Sequence, residues 1–133
     1  MTGMSDYLEV AFNNALFNNT AFSVTTVYVG LHTADPTDVS ATAAANELTD
    51  SGYIRIAGSF GTPHATDGTC ANDAEILYAA MADVATVAVT HFSLWDAATT
   101  GNYLGSGALA TSKSFSQGDV PRFPIGSLVA TMS

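Results

Sequence analysis

The sequence contains very few positively charged side chains. Arg55, Lys113 and Arg122 are the only lysines or arginines among 133 residues, which also include twelve acids, and the formal net charge is −9. Proteins that bind DNA or RNA place clustered cations along the phosphates, and anionic membrane surfaces also attract cations. The composition therefore argues against nucleic acid and membrane partners.

Cysteine and charge in general are also scarce. Cys70 is the single cysteine, so an intrachain disulfide is impossible and a cysteine-based zinc site is nearly excluded. The charged fraction is 11%, less than half of the ~25% typical of soluble domains. The chain has 22 alanines, 17 threonines and 11 glycines instead. Protein–protein interfaces are depleted of charge at their centres, so this composition favours a surface covered by neighbouring subunits. The length suits one domain over residues 1–133.

The N-terminal segment has the spacing of one short amphipathic helix over Ser5–Phe17. Its apolar residues recur at i, i+4, i+7 and i+8, namely Leu8, Phe12, Ala15 and Leu16. Asp6 is in position to cap the helix, with Glu9 three residues later. Asn18 and Asn19 can adopt the left-handed conformation that ends a helix. Because no cation precedes these apolar residues, we expect no secretory signal.

The rest of the chain alternates apolar and polar residues with a period of two. The predicted strand regions are 26–32, 53–57, 84–95, one that begins at Leu109, and 128–132. The longest, Val84–Trp95, is largely apolar on both faces, so we expect it to be central and covered on each side. Pro121 and Pro124 cannot donate to a strand ladder, so residues 122–125 are predicted to lie at an edge or in an irregular lead-in. These signals predict a mainly β, single-domain antiparallel β-sandwich or small barrel over residues 26–132.

Turn residues separate these strands. The predicted turns and loops are Asp35–Asp38, residues 38–50, a long surface loop at Gly61–Asp73, a turn with a bulge at Gly101–Gly107, a hairpin turn at Gln117–Asp119 and a bulge at Gly126. Within residues 38–50 a loop is favoured over a helix, and one or two helical turns at Ala41–Leu48 are the alternative. The glycines at 101–107 lack the order, the phosphate-loop context and the lysine of a nucleotide-binding motif.

Two histidines are candidates for chemistry on the predicted strands. His32 with Asp35 and Asp38 has residue types that bind metals, but an Asp-Pro turn with a hydrogen-bonded histidine is the simpler interpretation. His91 lies on the strand face of Trp95, which favours a packed histidine over a catalytic base.

The long loop has its own candidates. His64, Asp67 and Cys70 suggest a Cys–His nucleophile pair, but no cation or helix start lies beside Cys70 to activate the thiol. Asp67, Asp73 and Glu75 lack the acid spacing of an EF-hand, and solvated acids are favoured over a calcium site. Four strand aromatics are interpreted as core or subunit contacts rather than as a glycan platform: Tyr28, Tyr53, Phe92 and Trp95. We expect no catalytic residue, no cofactor and no metal.

The order of several motifs resembles a known family. The motifs are Tyr28–Pro36, Glu47–Arg55 with its Gly-Tyr-x-Arg element, Val89–Phe92 with Trp95–Ala98, Leu104 near Gly107–Leu109, and Gly118–Asp119 before Gly126–Leu128. Together they resemble small virion proteins of tailed bacteriophages, often labelled tail-fibre proteins and in some phages found as capsid decoration (cement) proteins. The segment Gly61–Glu75 departs from the family pattern.

The resemblance implies a non-enzymatic structural protein, made in the cytoplasm of the host bacterium. It implies a homotrimer on the outer capsid surface that bridges and stabilises major capsid protein subunits. The alternative is a tail-associated module, at a fibre or tail tip, that connects parts or contacts host glycans. A small hydrolase is disfavoured because no nucleophile–base–acid set can be assembled. The N-terminal segment is the part that we expect to reach a neighbour.

Overall fold

The computed structural model describes residues 3–38 and 44–131. Its elements, in chain order, are β1 (Gly3–Met4), α1 (Asp6–Phe17), β2 (Val27–His32), β3 (Ile56–Gly58), β4 (Cys70–Ala71), β5 (Ile76–Leu77), β6 (Thr86–Trp95), β7 (Tyr103–Ser116), β8 (Arg122–Phe123) and β9 (Val129–Ala130). The mainly β fold with one short N-terminal helix is confirmed.

The principal sheet is antiparallel and has five strands in the order β1-β7-β6-β2-β3. The predicted central position of the longest strand is confirmed, because β6 lies between β7 and β2. Coverage on both faces holds only for its second half: Phe92–Trp95 is buried, whereas Thr86 and Ala88 are exposed. Across the described residues this sheet does not close into a barrel.

Two small sheets, β4-β9 and β5-β8, supply the second layer. The core contains strand residues of the principal sheet, including Val29, Leu31, Phe92 and Leu94. It also contains residues in or beside the small sheets: Ile76, Tyr78, Phe123, Leu128 and Ala130. Two layers with apolar inner faces thus enclose one core. The other face of β2 and β6 carries Gly30, His32, Ser93 and Trp95, because successive side chains alternate across a strand.

The continuity of β7 corrects the prediction of a turn with a bulge at Gly101–Gly107 and a new strand at Leu109. The turn ends at Gly101, where φ is +78°, and a single strand runs from Tyr103 to Ser116. A Cβ atom at Gly107 would lie 2.6 Å from Cζ of Phe92 on β6. Close approach of an aromatic ring therefore explains this glycine, which the sequence pattern had associated with a turn.

The helix has the predicted extent, but its cap is Ser5 rather than Asp6. Oγ of Ser5 accepts a hydrogen bond from the Leu8 amide at 3.2 Å and donates one to the Tyr103 carbonyl. The Ser5 amide also donates to the Leu104 carbonyl at 2.9 Å. Serine is preferred here because its short side chain reaches the third helical amide. The first turn is consequently fastened to β7.

The helix ends as predicted, with Asn18 as C-cap and Asn19 in the left-handed conformation at φ +53°. None of its side chains is fully buried. No helix in the described ranges has the length and apolar character needed to cross a bilayer.

Other boundaries differ in detail. The strand predicted over 53–57 is Ile56–Gly58, the part of this segment that pairs with Val27–Val29 of β2. The closing strand is Val129–Ala130, and the predicted end at residue 132 lies outside the described residues, as do residues 39–43 of the predicted 38–50 loop. Gln117–Asp119 is a turn but not a hairpin turn, because the strands it joins belong to different sheets. Gly126 lies in a turn with φ +81° rather than in a bulge.

The prediction that residues 122–125 lie at an edge or in irregular structure is confirmed. Among the described residues, Arg122–Phe123 pairs only with β5, and Pro124 and Ile125 lie outside the strands. The loop at Gly61–Asp73 is largely exposed, as predicted, but includes β4.

Candidate functional site

A network of polar side chains, here called the Arg55 cluster, covers the face of the sheet opposite the small sheets. Its members are His32, Glu47, Tyr53, Arg55, Ser93 and Trp95. Strands β2 and β6 supply three of them in register, since Tyr28 pairs with Trp95 and Gly30 with Ser93. The segment before β3 supplies the rest and is joined to β2 by a bridge between His32 and Glu47.

The cluster is organised around an ion pair between Arg55 and Glu47. Nε of Arg55 donates to Oε1 and Nη2 donates to Oε2 of Glu47, each at 2.9 Å. Oη of Tyr53 donates to the same Oε1 at 2.9 Å. The Arg55 and Glu47 side chains are only 11% and 24% exposed. Burial alone would raise the pKa of Glu47, but the hydrogen bonds and charge of Arg55 outweigh it and hold the pKa below its usual value.

The guanidinium group of Arg55 also lies over the indole of Trp95, with Cζ 3.4 Å from the ring centroid. Its Nη1 donates to the Thr100 carbonyl at 2.9 Å. A planar, delocalised cation can stack on an aromatic face while its edges still donate hydrogen bonds. Arg55 therefore closes the cluster from the solvent side and joins the β6–β7 turn to the segment before β3.

Beneath the Arg55 guanidinium, a series of hydrogen bonds runs from Trp95 through Ser93 to His32. Nε1 of Trp95 donates to Oγ of Ser93 at 2.7 Å, and Oγ of Ser93 lies 2.7 Å from Nε2 of His32. Nδ1 of His32 lies 2.7 Å from the Ala45 carbonyl, which can only accept. Nδ1 must therefore carry the proton, and Nε2 accepts from Ser93. Every donor and acceptor in this series of hydrogen bonds, from Trp95 to the Ala45 carbonyl, has a partner when His32 is neutral.

Burial lowers the pKa of His32 from its ordinary value of 6.5. The unfolded chain consequently binds a proton more readily than the folded one, and we expect stability to fall as pH decreases below about 6.5. Urea unfolding midpoints at pH 7.5 and 5.5 measure this difference. The variant His32→Gln should show a smaller decrease over that interval than the natural chain. Equal decreases in both proteins would contradict the assignment of a neutral, buried His32.

An aspartate fixes the segment that carries Glu47 and Arg55. The Asp50 carboxylate accepts hydrogen bonds from the backbone amides of Gly52, Ala82, Asp83 and Val84, at 2.8 to 2.9 Å for the shortest contact of each. Hydrogen bonds from these amides hold the pKa of Asp50 well below its usual range, and the bond from the Ala82 amide has the largest effect. The carboxylate thus ties the segment before β3 to the loop before β6.

An open groove of about 530 Å³ lies beside the cluster. Glu47, Tyr53 and Arg55 line one part of it, and Ala98–Thr100 of the β6–β7 turn line another. The Ser93–His32 pair resembles a nucleophile and base in composition, but both residues are 0% exposed. Their arrangement supports the sheet and gives the serine no access to a substrate in this groove.

The structure does not bring the predicted metal candidates together. His32 has both ring nitrogens engaged within the cluster, while Asp35 accepts from the Thr37 amide at 2.9 Å in the predicted turn. Within residues 3–38 and 44–131, no three metal-ligating side chains form a cluster. His91 is half-buried and lies 2.8 Å from the Thr90 hydroxyl, opposite His32 on β2.

The candidates of the long loop do not assemble into one site among the described residues. Sγ of Cys70 donates to the Gly61 carbonyl at 2.8 Å, whereas His64 lies 3.3 Å from Asp67 on the exposed surface. Glu75 lies 3.6 Å from Arg122. Among the predicted aromatics, Phe92 and Trp95 are fully buried and Tyr28 and Tyr53 are half-buried.

A comparison with protein families matches residues 3–131 to the family described as podophage GP4 fiber I protein gp80. The chain belongs to this fiber I family. It is thus a phage virion structural protein of the fibre type, as the resemblance of the motifs implied. A comparison with curated proteins gave no match.

In this fiber I protein, the Arg55 cluster gathers the separate motifs on which the resemblance was based. Leu31 and His32 come from the first motif, Glu47, Tyr53 and Arg55 from the second, and Trp95 from the third. Oη of Tyr53 accepts from the Leu31 amide at 2.9 Å. Sequence analysis named these residues without connecting them, and Ser93 and Asp50 were not singled out. Membership in a structural family argues against an enzymatic role.

Proposed function

We propose that this fiber I protein is a tail-associated structural module of the virion, which connects other virion proteins. Its family description as a fibre protein supports the tail location. The observation that carries the connecting role is the helix α1, which is fastened to β7 at its start and exposes large apolar side chains along the rest of its length. Exposed apolar surface of this kind is typical of protein–protein contact sites.

Capsid decoration, with the major capsid protein as partner, is the second proposal. It is favoured by the compact two-layered domain, in which the described residues contain no repeated or elongated segment of the kind that builds a fibre shaft. The net charge of −9 also suits an outer surface of a particle that holds DNA inside.

Copy number separates the two proposals. Quantitative mass spectrometry of purified virions, with the major capsid protein as internal standard, should find a few to tens of copies for the tail-associated module. A count in the hundreds would overturn that proposal in favour of capsid decoration, because decoration follows the capsid lattice. Absence from purified virions would overturn both.

A further inference from the structure

A cavity that shares no residue with the Arg55 cluster lies between β7 and the segment that contains β8 and β9. Its volume is about 270 Å³. Lys113 and Ser127 line it, and most of its wall is formed by four apolar side chains: Leu109, Ala110, Phe123 and Val129. Sites for whole small molecules usually measure roughly 300–1,000 Å³. This cavity therefore suits one side chain with its end group rather than a complete metabolite.

An irregularity in the β6–β7 pairing lies on one side of the cavity. The register shifts between Val89 and His91, where residues 109–112 of β7 lie opposite Thr90 alone. Such a bulge bends its strand and redirects the side chains, and bulges are common beside functional sites. Residues 109–111 of the bulge line the cavity. The cavity thus lies at a place where the regular hairpin is interrupted.

Lys113 is a cation without an acidic partner. Its Nζ donates to the Arg122 carbonyl at 3.2 Å and lies 4.6 Å from the centroid of the Phe123 ring. The two arginines of the chain each pair with a glutamate, but no acid of the described residues forms an ion pair with Lys113. An ammonium group has three N–H donors. Two of them therefore remain for a ligand.

Ser127 adds a second polar group that the domain itself leaves unused. Its Oγ is buried and, across the part of the chain that the structure describes, has no hydrogen-bond partner. Buried polar atoms of native proteins are normally paired, because an unpaired one has lost its contacts with water without replacement. The wall of this cavity thus combines a cation, an unpaired hydroxyl and apolar side chains.

These groups fit an apolar side chain that has a carboxylate directly beside it. The C-terminal residue of a polypeptide has this combination, because its α-carboxylate and its side chain share one Cα atom. An internal acid would need a second residue to supply the apolar group, and the cavity is small for two side chains.

Charge complementarity also favours an anionic group here, although the net charge of the chain is −9. Two of its three cations, Lys113 and Arg122, lie at this place and are in contact. The acid beside them, Glu75, is paired with Arg122 at 3.6 Å. At physiological ionic strength, exposed charges act over only ~8 Å. The local cations therefore outweigh the more distant acids for a single bound carboxylate.

We propose that this cavity binds the C-terminal residue of another virion protein. Its apolar side chain packs against Leu109 and Phe123, and its α-carboxylate accepts hydrogen bonds from Nζ of Lys113. Chain ends are a recurring target of peptide-binding proteins. The proposal rests on the proposed connecting role for the identity of the partner, and it adds an attachment point separate from α1.

Short peptides test the proposal on the full chain. Three acetylated pentapeptides have the sequence Gly-Ser-Thr-Ser followed by a C-terminal Val, Leu or Phe. Titrated to roughly 10 mM, since single-residue anchors bind weakly, at least one should shift the NMR amide signals of residues 109–113 and 126–129. The same peptide with a C-terminal amide should bind roughly tenfold more weakly, because it lacks the charged acceptor.

Two variants with the same net charge show whether Lys113 holds the carboxylate. Lys113→Met removes the ammonium group but keeps an unbranched apolar side chain, and it should weaken binding of the free-carboxylate peptide by roughly tenfold. Arg122→Met is the matched control. The Arg122 side chain is 60% exposed and does not line the cavity, so binding should stay within about twofold of the natural chain.

Three results would overturn the proposal: no signal shift with any of the three peptides, equal binding of the carboxylate and amide forms, or equal weakening by both variants. Preference for an amide-capped peptide with an internal Asp would also overturn it, because the site would then bind an internal acid. Virion copy number does not depend on these measurements, so this proposal and the proposed function can fail separately.

Discussion

Replacement of Arg55 by alanine should lower the free energy of unfolding by about 3 kcal/mol. The substitution removes two hydrogen bonds to Glu47, one to the Thr100 carbonyl and the stacking on Trp95. It also leaves the Glu47 carboxylate unpaired in a site that is only 24% exposed. Thermal unfolding should begin roughly 10 °C earlier, and urea unfolding followed by circular dichroism measures the change directly.

Two comparisons show whether the loss of the Arg55 cluster causes the decrease in the free energy of unfolding. Arg122→Ala removes a cation that is 60% exposed and 3.6 Å from Glu75, so it should change stability by less than about 0.5 kcal/mol. The double variant Glu47→Gln/Arg55→Ala should lose less than the sum of the single losses, because no unpaired charge remains. Additive losses, or equal effects of Arg55→Ala and Arg122→Ala, would show that the ion pair does not stabilise the fold.

Gly30→Ala should also destabilise the fold, with a loss of about 2 kcal/mol. A Cβ atom at position 30 would lie 2.5 Å from Oγ of Ser93 and 3.1 Å from Oε1 of Glu47. Alanine is otherwise the better strand residue by about 0.5–1 kcal/mol, so the crowding must exceed this gain. The displaced Ser93 would lose its contacts to His32 and Trp95, and the near-ultraviolet signal of the tryptophan should change.

Gly61→Ala is the matched control for the added methyl group. The nearest neighbour of a Cβ there is 3.7 Å away, so its stability should stay within about 0.5 kcal/mol of the natural chain. Adding Ser93→Ala to Gly30→Ala removes the closest contact, and the double variant should lose less than the two single variants combined. A stable Gly30→Ala protein would mean that the sheet accommodates the methyl group by shifting.

The sequence predicted the long regular elements well because their periodicity is strong. The helix and the central strand were found within a few residues of their bounds. The cap was assigned to Asp6 because Glu9 follows it three residues later, as in a capping box. The adjacent Ser5 is equally suited by residue type, and only the backbone geometry selects it. Strand β7 was predicted as a turn followed by a separate strand. The reason is that a sequence does not distinguish a glycine in a turn from Gly107, which lies in a strand close to the ring of Phe92.

The Arg55 cluster lay beyond sequence reasoning for a different reason. Its ion pair joins residues eight apart across an irregular segment, and its serine–histidine contact joins residues 61 apart. No helix or strand period relates such positions. Their proximity follows from the register of β2 against β6, which places Gly30 opposite Ser93. The resemblance to a family identified most of the members as notable, and only the fold explained why they act together.

The attachment of the N-terminal helix to β7 has a mechanical consequence. A pull on α1 reaches the domain through Ser5, which is hydrogen-bonded to the Tyr103 and Leu104 carbonyls. Tyr103 is paired with Trp95 across the hairpin, and their ring centroids are 5.2 Å apart. Force applied to the exposed helix is therefore transmitted to the β6–β7 hairpin. The helix is thereby anchored to the longest pair of strands in the principal sheet.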